Sequence, residues 1–278
     1  MRKIILFAWI LLIFGCSAKH NGVIVGIKYQ SVSQLPISAA LSTKALSKEN
    51  VKYYSSYQSV VKALNKGKID ISVIPPDEIF KGKNKNIIIL SSFIRGGYGI
   101  LGYEKINSKA DLQGKVVGVL KKSEGEFLAE QIADSLGIKL KKYSIKKLMK
   151  TDFIYGKISG MVLSVPEIVL ESSLKYKIVY WFSDDLSYYP YADIAVNKYS
   201  YKNKKQELDT LIEHIVNIGD EFMGSPNLLF ETAEKIFDTT YHRAKRISYQ
   251  IRFINSDFNE NKKFEKDLFE FMKKNGTA

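Results

Sequence analysis

One cysteine, Cys16, stands in 278 residues, and the three histidines, His20, His214 and His242, are far apart. That scarcity excludes a disulfide framework and the usual Cys/His zinc clusters, and it leaves no thiol nucleophile once Cys16 is committed elsewhere. No HExxH, CxxC, GxSxG or GxxxxGK[ST] text occurs, so zinc hydrolysis, dithiol exchange, esterase chemistry and P-loop nucleotide binding lack their local signatures. Proline is sparse, with 6 in the chain, two of them adjacent at Pro75-Pro76. Neither a low-complexity block nor a heptad run appears. The apolar run from Ile4 to Phe14 falls short of the ~20 residues a bilayer-crossing helix needs. Carboxylates are the remaining candidates for chemistry, because acidic pairs need only meet in space. The one adjacent pair singled out, Asp184-Asp185, is equally a turn dipeptide.

Arg2 and Lys3 precede the apolar run, and Gly15-Cys16 ends it. This is the layout of a signal peptide, here residues 1–15. Ile13-Phe14-Gly15-Cys16 resembles the lipobox of bacterial lipoproteins, which implies acylation of Cys16 (a palmitate-type anchor), a tether over residues 16–21 and export to a bacterial membrane. The formal charge of +13 falls to +11 when Arg2 and Lys3 leave with the signal. A basic field attracts anionic ligands or membrane surfaces; it equally follows from a lysine-rich composition, since the lysines are scattered without the dense stripe of a nucleic-acid binder. No nucleic acid is expected as a partner.

The mature part reads as alternating strand and helix, which indicates parallel α/β construction. Residues 22–29 suit a buried strand, 37–46 a helix with Pro36 near its first turn, 51–57 a strand, 59–65 a short helix, and 67–80 a strand stopped by Pro75-Pro76. A β-rich segment over 86–103 is broken by Gly96, Gly97 and Gly99. The pattern then restarts. Residues 116–120 form a strand and 123–136 a helix, with Ser123 as N-cap, Glu124 and Glu126 in the first turn, and Gly137 as the stop. Strands follow near 140–145, 160–163 and 177–182. The chain returns through a strand at 192–197 and is expected to be mostly helical from Gln206 to the end.

Four stretches carry a resemblance. They are ALNKGKIDISVIPPDEIF (63–80), INSKADLQGKVVGVLKKSEGEFLAEQIADSLGI (106–138), ADIAVNKYSYKNKKQELDTLIEHIV (192–216) and SPNLLFETAEKIF (225–237). In this order they resemble the periplasmic solute-binding proteins of ABC importers, in the group of sulfonate, taurine, nitrate and thiamine-precursor binders. The resemblance implies a two-lobe type II periplasmic binding protein-like α/β fold with a ligand cleft between the lobes and a helical C-terminal region. Lobe 1 is expected over 22–103 and 195–278, and lobe 2 over 104–194. Function follows the same line: a monomeric, membrane-tethered protein with no cofactor and no metal, capturing a small organic solute, anionic or aromatic, for an ABC permease. The alternatives are an enzyme on the same scaffold, of the pyrimidine- or menaquinone-precursor type, and a sensor or adhesin lipoprotein. One departure stands out, because the family's glycine-rich turn after the first strand is here Gln30-Ser31-Val32-Ser33-Gln34-Leu35-Pro36.

In open α/β sheets ligands sit beyond the carboxyl ends of strands. That rule selects Tyr29, Gln30, Ser31, Ser55, Ser56, Tyr57, Pro75 and Asp77 from the first lobe. From the second it selects Lys121, Ser123, Glu124, Ser164, Glu167, Trp181, Ser183 and Asp184. Arg95, beside Gly96-Gly97, is a candidate for pairing with an anion or a plain surface arginine. Ser123 and the helix start after it either hold an anion or simply cap the helix. Tyr29 and Tyr57 either stack on an aromatic ligand or lie half-buried, and Trp181 faces either the cleft or the core.

Overall fold

The computed structural model describes residues 22–44, 46–186, 189–256 and 258–277. Residues 1–21, on which the expected signal peptide, Cys16 and the expected tether fall, lie outside the described residues. Two mixed sheets, flanked by helices, make up a two-lobe α/β fold.

The first lobe begins with β1 (Val25–Lys28), α1 (Gln34–Ser42), β2 (Val51–Tyr54), α2 (Tyr57–Asn65), β3 (Ile71–Ile74), α3 (Pro76–Phe80) and β4 (Ile87–Gly96). Pro76 occupies the first turn of α3, where a missing N–H costs nothing. The second lobe contains β5 (Tyr98–Tyr103), β6 (Val116–Leu120), α4 (Glu124–Leu136), β7 (Lys139–Tyr143), α5 (Lys146–Ile154), β8 (Gly160–Ser164), α6 (Glu167–Glu171) and β9 (Tyr176–Trp181). Then β10 (Pro190–Asn197) rejoins the first sheet. It is followed by α7 (Lys198–Asn203), α8 (Lys205–Gly224), α9 (Pro226–Phe237), α10 (Tyr241–Ser248), β11 (Ile251–Ser256) and α11 (Phe258–Lys274).

The first sheet has the order β11-β4-β10-β3-β1-β2, the second β7-β6-β8-β5-β9. The βαβ units are parallel as expected: β1 pairs with β2 and β3, and β6 with β7 and β8. Purely parallel construction is nevertheless corrected. β10 runs antiparallel to β3 and β4, β11 to β4, and β5 to β8 and β9. The region from Gln206 is mostly helical as expected, apart from β11, whose Ile251, Arg252 and Phe253 pair with β4. The β-rich run over 86–103 divides between the sheets at Gly96 and Gly97, both at positive φ. A Cβ on Gly96 would sit 2.5 Å from the Gln250 carbonyl oxygen, so the crossing is built for glycine. Sheet membership thus places β5 with the second lobe and β10 from Pro190 with the first.

Central strands β3 and β10 are buried along their whole length, as strands covered on both faces are, and Ser72, Asp193 and Asn197 are buried with them. On one face of the first sheet α2 packs Val60, Val61 and Leu64 against Ile74. On the other, Leu35, Ile215, Phe222 and Phe230 close over Val25, Ile27 and Val73. In the second lobe Leu128, Ala129 and Ile132 of α4 cover Val117, Val119 and Val162. The last helix touches both lobes: Phe269 packs on Phe80 with centroids 5.4 Å apart, while Phe264 and Phe271 pack on Phe127 at 5.3 and 5.4 Å.

Candidate functional site

The turns that follow β1 and β6 are built alike. After β1, Gln30 takes φ +51° and its N–H donates to Gln34 Oε1 at 2.8 Å, while the Ser31 hydroxyl donates to the Lys28 carbonyl at 2.6 Å. After β6, Lys122 takes φ +59°, its N–H donates to Glu126 Oε2 at 2.5 Å, and the Ser123 hydroxyl donates to the Leu120 carbonyl at 2.7 Å. Tight turns of this kind bring the start of a helix over the end of its strand. Ser123 also caps α4 by accepting from the Glu126 N–H at 3.1 Å, and Ser56 caps α2 through Ser59 at 3.2 Å.

Between the lobes these turns border a cavity of about 680 Å³. Gln30, Ser31, Ser55, Ser56, Tyr57, Pro75 and Asp77 line it from the first lobe, and Lys121, Ser123, Ser164 and Glu167 from the second. The other residues selected from the sequence lie off the cleft. Tyr29 is 56% exposed and meets Tyr53 edge-on at 6.2 Å. Arg95 is buried in β4, between the ladders to β10 and β11, and is no surface arginine. The carboxyl of Glu124 is turned inward with no exposure, both oxygens lacking a hydrogen-bond partner among the described residues. Trp181 pairs with Gly99 and packs against the core, and Ser183 and Asp184 are exposed in a short 3-10 turn. The reason is sheet order, because β9 is an edge strand separated from β8 by β5, which carries its terminal loop beyond the cleft.

Several lining residues escaped the strand-end rule. Tyr98 and Tyr191 line the cavity from the beginnings of β5 and β10, the antiparallel strands, whose amino ends point where the carboxyl ends of their parallel neighbours point. Their rings lie 5.6 Å apart. Lys28, Glu78, Lys81, Ser144 and Lys146 also line it. Ser144 and Lys146 follow β7 and were accessible to the rule; Lys28 closes β1 itself.

Charges in the cleft are unevenly matched. Lys81 binds Asp77 at 3.3 Å and Glu78 at 2.7 Å. Burial, and then the charge of Asp77, lift the Glu78 carboxyl above its ordinary range against the pull of Lys81. Burial disfavours the charge of Lys81, but Asp77 and Glu78 outweigh it and the ammonium is held above its ordinary value. Across the cleft Lys146 pairs with Glu167 at 2.7 Å, and Lys150 with Glu167 and Glu171 at 2.8 and 2.7 Å. Lys28 has no carboxylate partner among the described residues; it lies 5.5 Å from the centroid of the Tyr57 ring. Its ammonium is pushed down by burial and then by facing Lys146, with Glu167 opposing. Tyr57, hydrogen-bonded to the Ser33 hydroxyl at 3.0 Å, is pushed up to about 12, chiefly by burial. Behind the cleft, Asp77 Oδ2 accepts the Glu124 N–H at 3.2 Å, so a first-lobe carboxylate sits on the amino end of a second-lobe helix. Burial, then Asp77 and Asp193, hold the Glu124 carboxyl well above its ordinary range.

A family model described as NMT1/THI5 like matches residues 50–223. The chain belongs to the NMT1/THI5-like family. Among solved structures it is similar to the periplasmic aliphatic sulphonate binding protein SsuA of Escherichia coli, at 13% identity and TM-score 0.71, over 91% of this chain and 92% of that one. The alkanesulfonate-binding protein SsuA of Xanthomonas axonopodis, solved with MOPS, matches at 12% identity and TM-score 0.70, over 91% and 93%. The ligand-binding component of an ABC-type import system from Staphylococcus aureus, solved with zinc, matches at 15% and 0.71, over 91% of each chain. At these identities the likeness is one of fold. No curated protein sequence matches the chain.

Proposed function

We propose that this chain is an extracytoplasmic solute-binding protein, tethered through a lipid on Cys16, that captures a small organic solute between its lobes and presents it to an ABC permease. The observation that carries the reading is the cavity of about 680 Å³, lined from both lobes by strand-end turns and rich in serine, tyrosine and lysine. A site of that volume suits a small molecule. Enclosure by two lobes joined at Gly96-Gly97 lets capture be coupled to closure about those glycines. Similarity in fold to binding components of import systems supports transport. The run ending Gly15-Cys16 supports the tether, whose stable membrane attachment requires more than one acyl chain or a second signal.

The test is native mass spectrometry of gently purified mature protein, followed by calorimetry with the compound recovered. A non-covalent adduct that is released unchanged is the expected result. Turnover of the compound into a product would reject binding alone in favour of an enzyme on this scaffold. For the tether, Cys16→Ala moves the protein from the membrane fraction to the soluble one; identical partitioning of variant and parent would reject it.

A further inference from the structure

We propose that the end of the first sheet from which the tether departs is a docking face for an anionic lipid surface, with Lys66, Lys68 and Lys198 meeting headgroup phosphates and Tyr199 lying among the headgroups. The inference rests on the tethered reading, because a lipid on Cys16 is what brings this face to a bilayer.

Geometry fixes where the tether leaves the lobe. A Cβ built on Gly22 would lie 2.6 Å from Asn50 Nδ2, so the chain starts beside the turn into β2. Two residues on, the Ile24 N–H donates to Asp70 Oδ2 at 2.7 Å, and the Ile24 carbonyl accepts the Asp70 N–H at 2.8 Å. Val25 is in register with Val51 and Ile71, Val196 with Ile71, and Asn197 with Ile87. The chain therefore enters at the sheet end opposite Lys28, Ser55 and Pro75, which line the cleft. From Cys16 to Gly22 the backbone reaches roughly 20 Å at full extension. Acyl chains on Cys16 hold this end within that reach of the headgroups, at a high effective concentration.

The same end is charged to match. It carries an open depression of about 830 Å³ lined by Lys66, Lys68, Lys204 and Tyr199, and Asp70 is the one acid among the described residues that line it. Asp70 is 4% exposed, and its Oδ2 takes Lys204 at 2.9 Å as well as Ile24, so this pair cancels. Lys66 and Lys68 are exposed and form no ion pair among the described residues. Lys52 adds its ammonium beside them, donating to the Lys68 carbonyl at 3.0 Å. The Lys198 N–H donates to the carbonyl of Asn86 at 2.7 Å, a residue that also lines the depression, and its side chain is exposed without an ion pair among the described residues. Tyr199 is 60% exposed. Tyrosine beside lysine suits a headgroup layer, where the ring is partly sheltered and the hydroxyl stays wet. The pull of an anionic leaflet on lysine fades within a screening length of about 8 Å. The tether supplies the longer reach, and the lysines set the orientation. In that pose the strand ends that border the cleft point away from the bilayer.

The experiment is cosedimentation of the mature chain carrying Cys16→Ala, which bears no acyl group, with two kinds of vesicle: phosphatidylcholine alone, and phosphatidylcholine with phosphatidylglycerol in equal parts. Binding to the anionic vesicles and not to the neutral ones is expected, with release near 1 M salt, where the screening length falls to about 3 Å. Lys66→Gln, Lys68→Gln and Lys198→Gln together are expected to weaken it by about fivefold per lysine, on the order of a hundredfold in all. A control triple on the second lobe, Lys115→Gln, Lys139→Gln and Lys147→Gln, removes the same charge from exposed lysines and is expected to leave binding nearly unchanged. Equal weakening by the two triples would assign the attraction to net charge and overturn the docking face. Equal binding to both kinds of vesicle, or none to the anionic kind, overturns it as well. No acyl chain enters this assay, so its failure leaves the tether standing; the tether is scored separately, by whether the acylated parent stays with membranes through a high-salt wash that removes Cys16→Ala.

Discussion

The turn after β1 and the turn after β6 share a left-handed residue, a serine bonded back to the strand and a side chain four residues on that caps the turn. Their surroundings differ. The second turn is backed by surface ion pairs, with Lys142 holding both Glu126 and Glu130, and the whole second lobe follows suit through Lys141–Asp152, Lys150–Glu171 and Lys109–Asp185. The first turn rests on a deep apolar layer in which Leu35, Ile37 and Phe222 have no exposure. Within that lobe sit the buried carboxylates Asp193 and Glu265. Glu124 and Glu126 at the start of α4 aside, the second lobe places many of its charges outside in pairs, and the first buries Asp193 and Glu265. The contrast teaches that a strongly basic composition need not make a basic site, because many second-lobe lysines are spent on neighbouring carboxylates.

The sharpest way to break the contrast is a large deletion in the first lobe. Phe222→Ala removes a ring packed 5.2 Å from Phe253 and is expected to cost about 3–5 kcal/mol, read as a lower midpoint in denaturant. A loss under about 1 kcal/mol would mean that the apolar layer is not what holds that lobe.

A pH series addresses the buried acids. Burial lifts the Glu265 carboxyl to about 7, and Asp193 is lifted by burial and then by Glu265. A carboxyl whose folded-state pKa is raised binds its proton more tightly when folded. Its contribution is therefore full below the ordinary carboxylate range and is lost as pH rises through about 7. Thermal unfolding should occur at higher temperature near pH ~5.5 than near pH ~8, by on the order of 1 kcal/mol in stability, and Glu265→Gln should flatten the difference. Asp152, held at about 2 chiefly by its hydrogen bonds from Lys141 and Tyr143, loses its contribution only in stronger acid and leaves this window clear. An unchanged slope in Glu265→Gln would remove Glu265 from the account.

The smallest effect belongs to the second lobe's surface. Lys150→Met breaks two ion pairs, yet partly exposed pairs contribute about 0–1 kcal/mol and are screened by salt. The difference from the parent should shrink further near 1 M salt. A salt-insensitive loss larger than that would show the web to be structural rather than solvating.

Much of the fold was legible because parallel βαβ units announce themselves. VIVGIK, DISVI and VVGVL are central strands, and Ser123, Glu126 and Gly137 mark both ends of α4 as capping chemistry requires. The antiparallel strands were the obstacle. Nothing local in PYADIAVN says which way it runs, so Tyr191 and Tyr98 went unselected although they line the cleft. β11 was hidden for a related reason: Ile251–Ser256 is a short edge strand whose partner, β4, lies more than 150 residues earlier. In the cleft, serines and Asp77 followed from position alone. Glu167 did as well, but Lys81 and Lys146, which pair with Asp77 and Glu167, went unselected, because pairing depends on which side chains meet in space.

The placement of α11 has a consequence for the order of events during synthesis. A ribosome delivers this helix after every strand of both sheets, and domains form from the amino end as they emerge. Phe264, Phe269 and Phe271 are the residues that fasten Phe80 of one lobe and Phe127 of the other to a common rod. Each lobe can gather most of its strands while the chain is still lengthening, but the clasp between them waits for α11. A chain that has not yet reached α11 therefore lacks the aromatic bridge between Phe80 and Phe127.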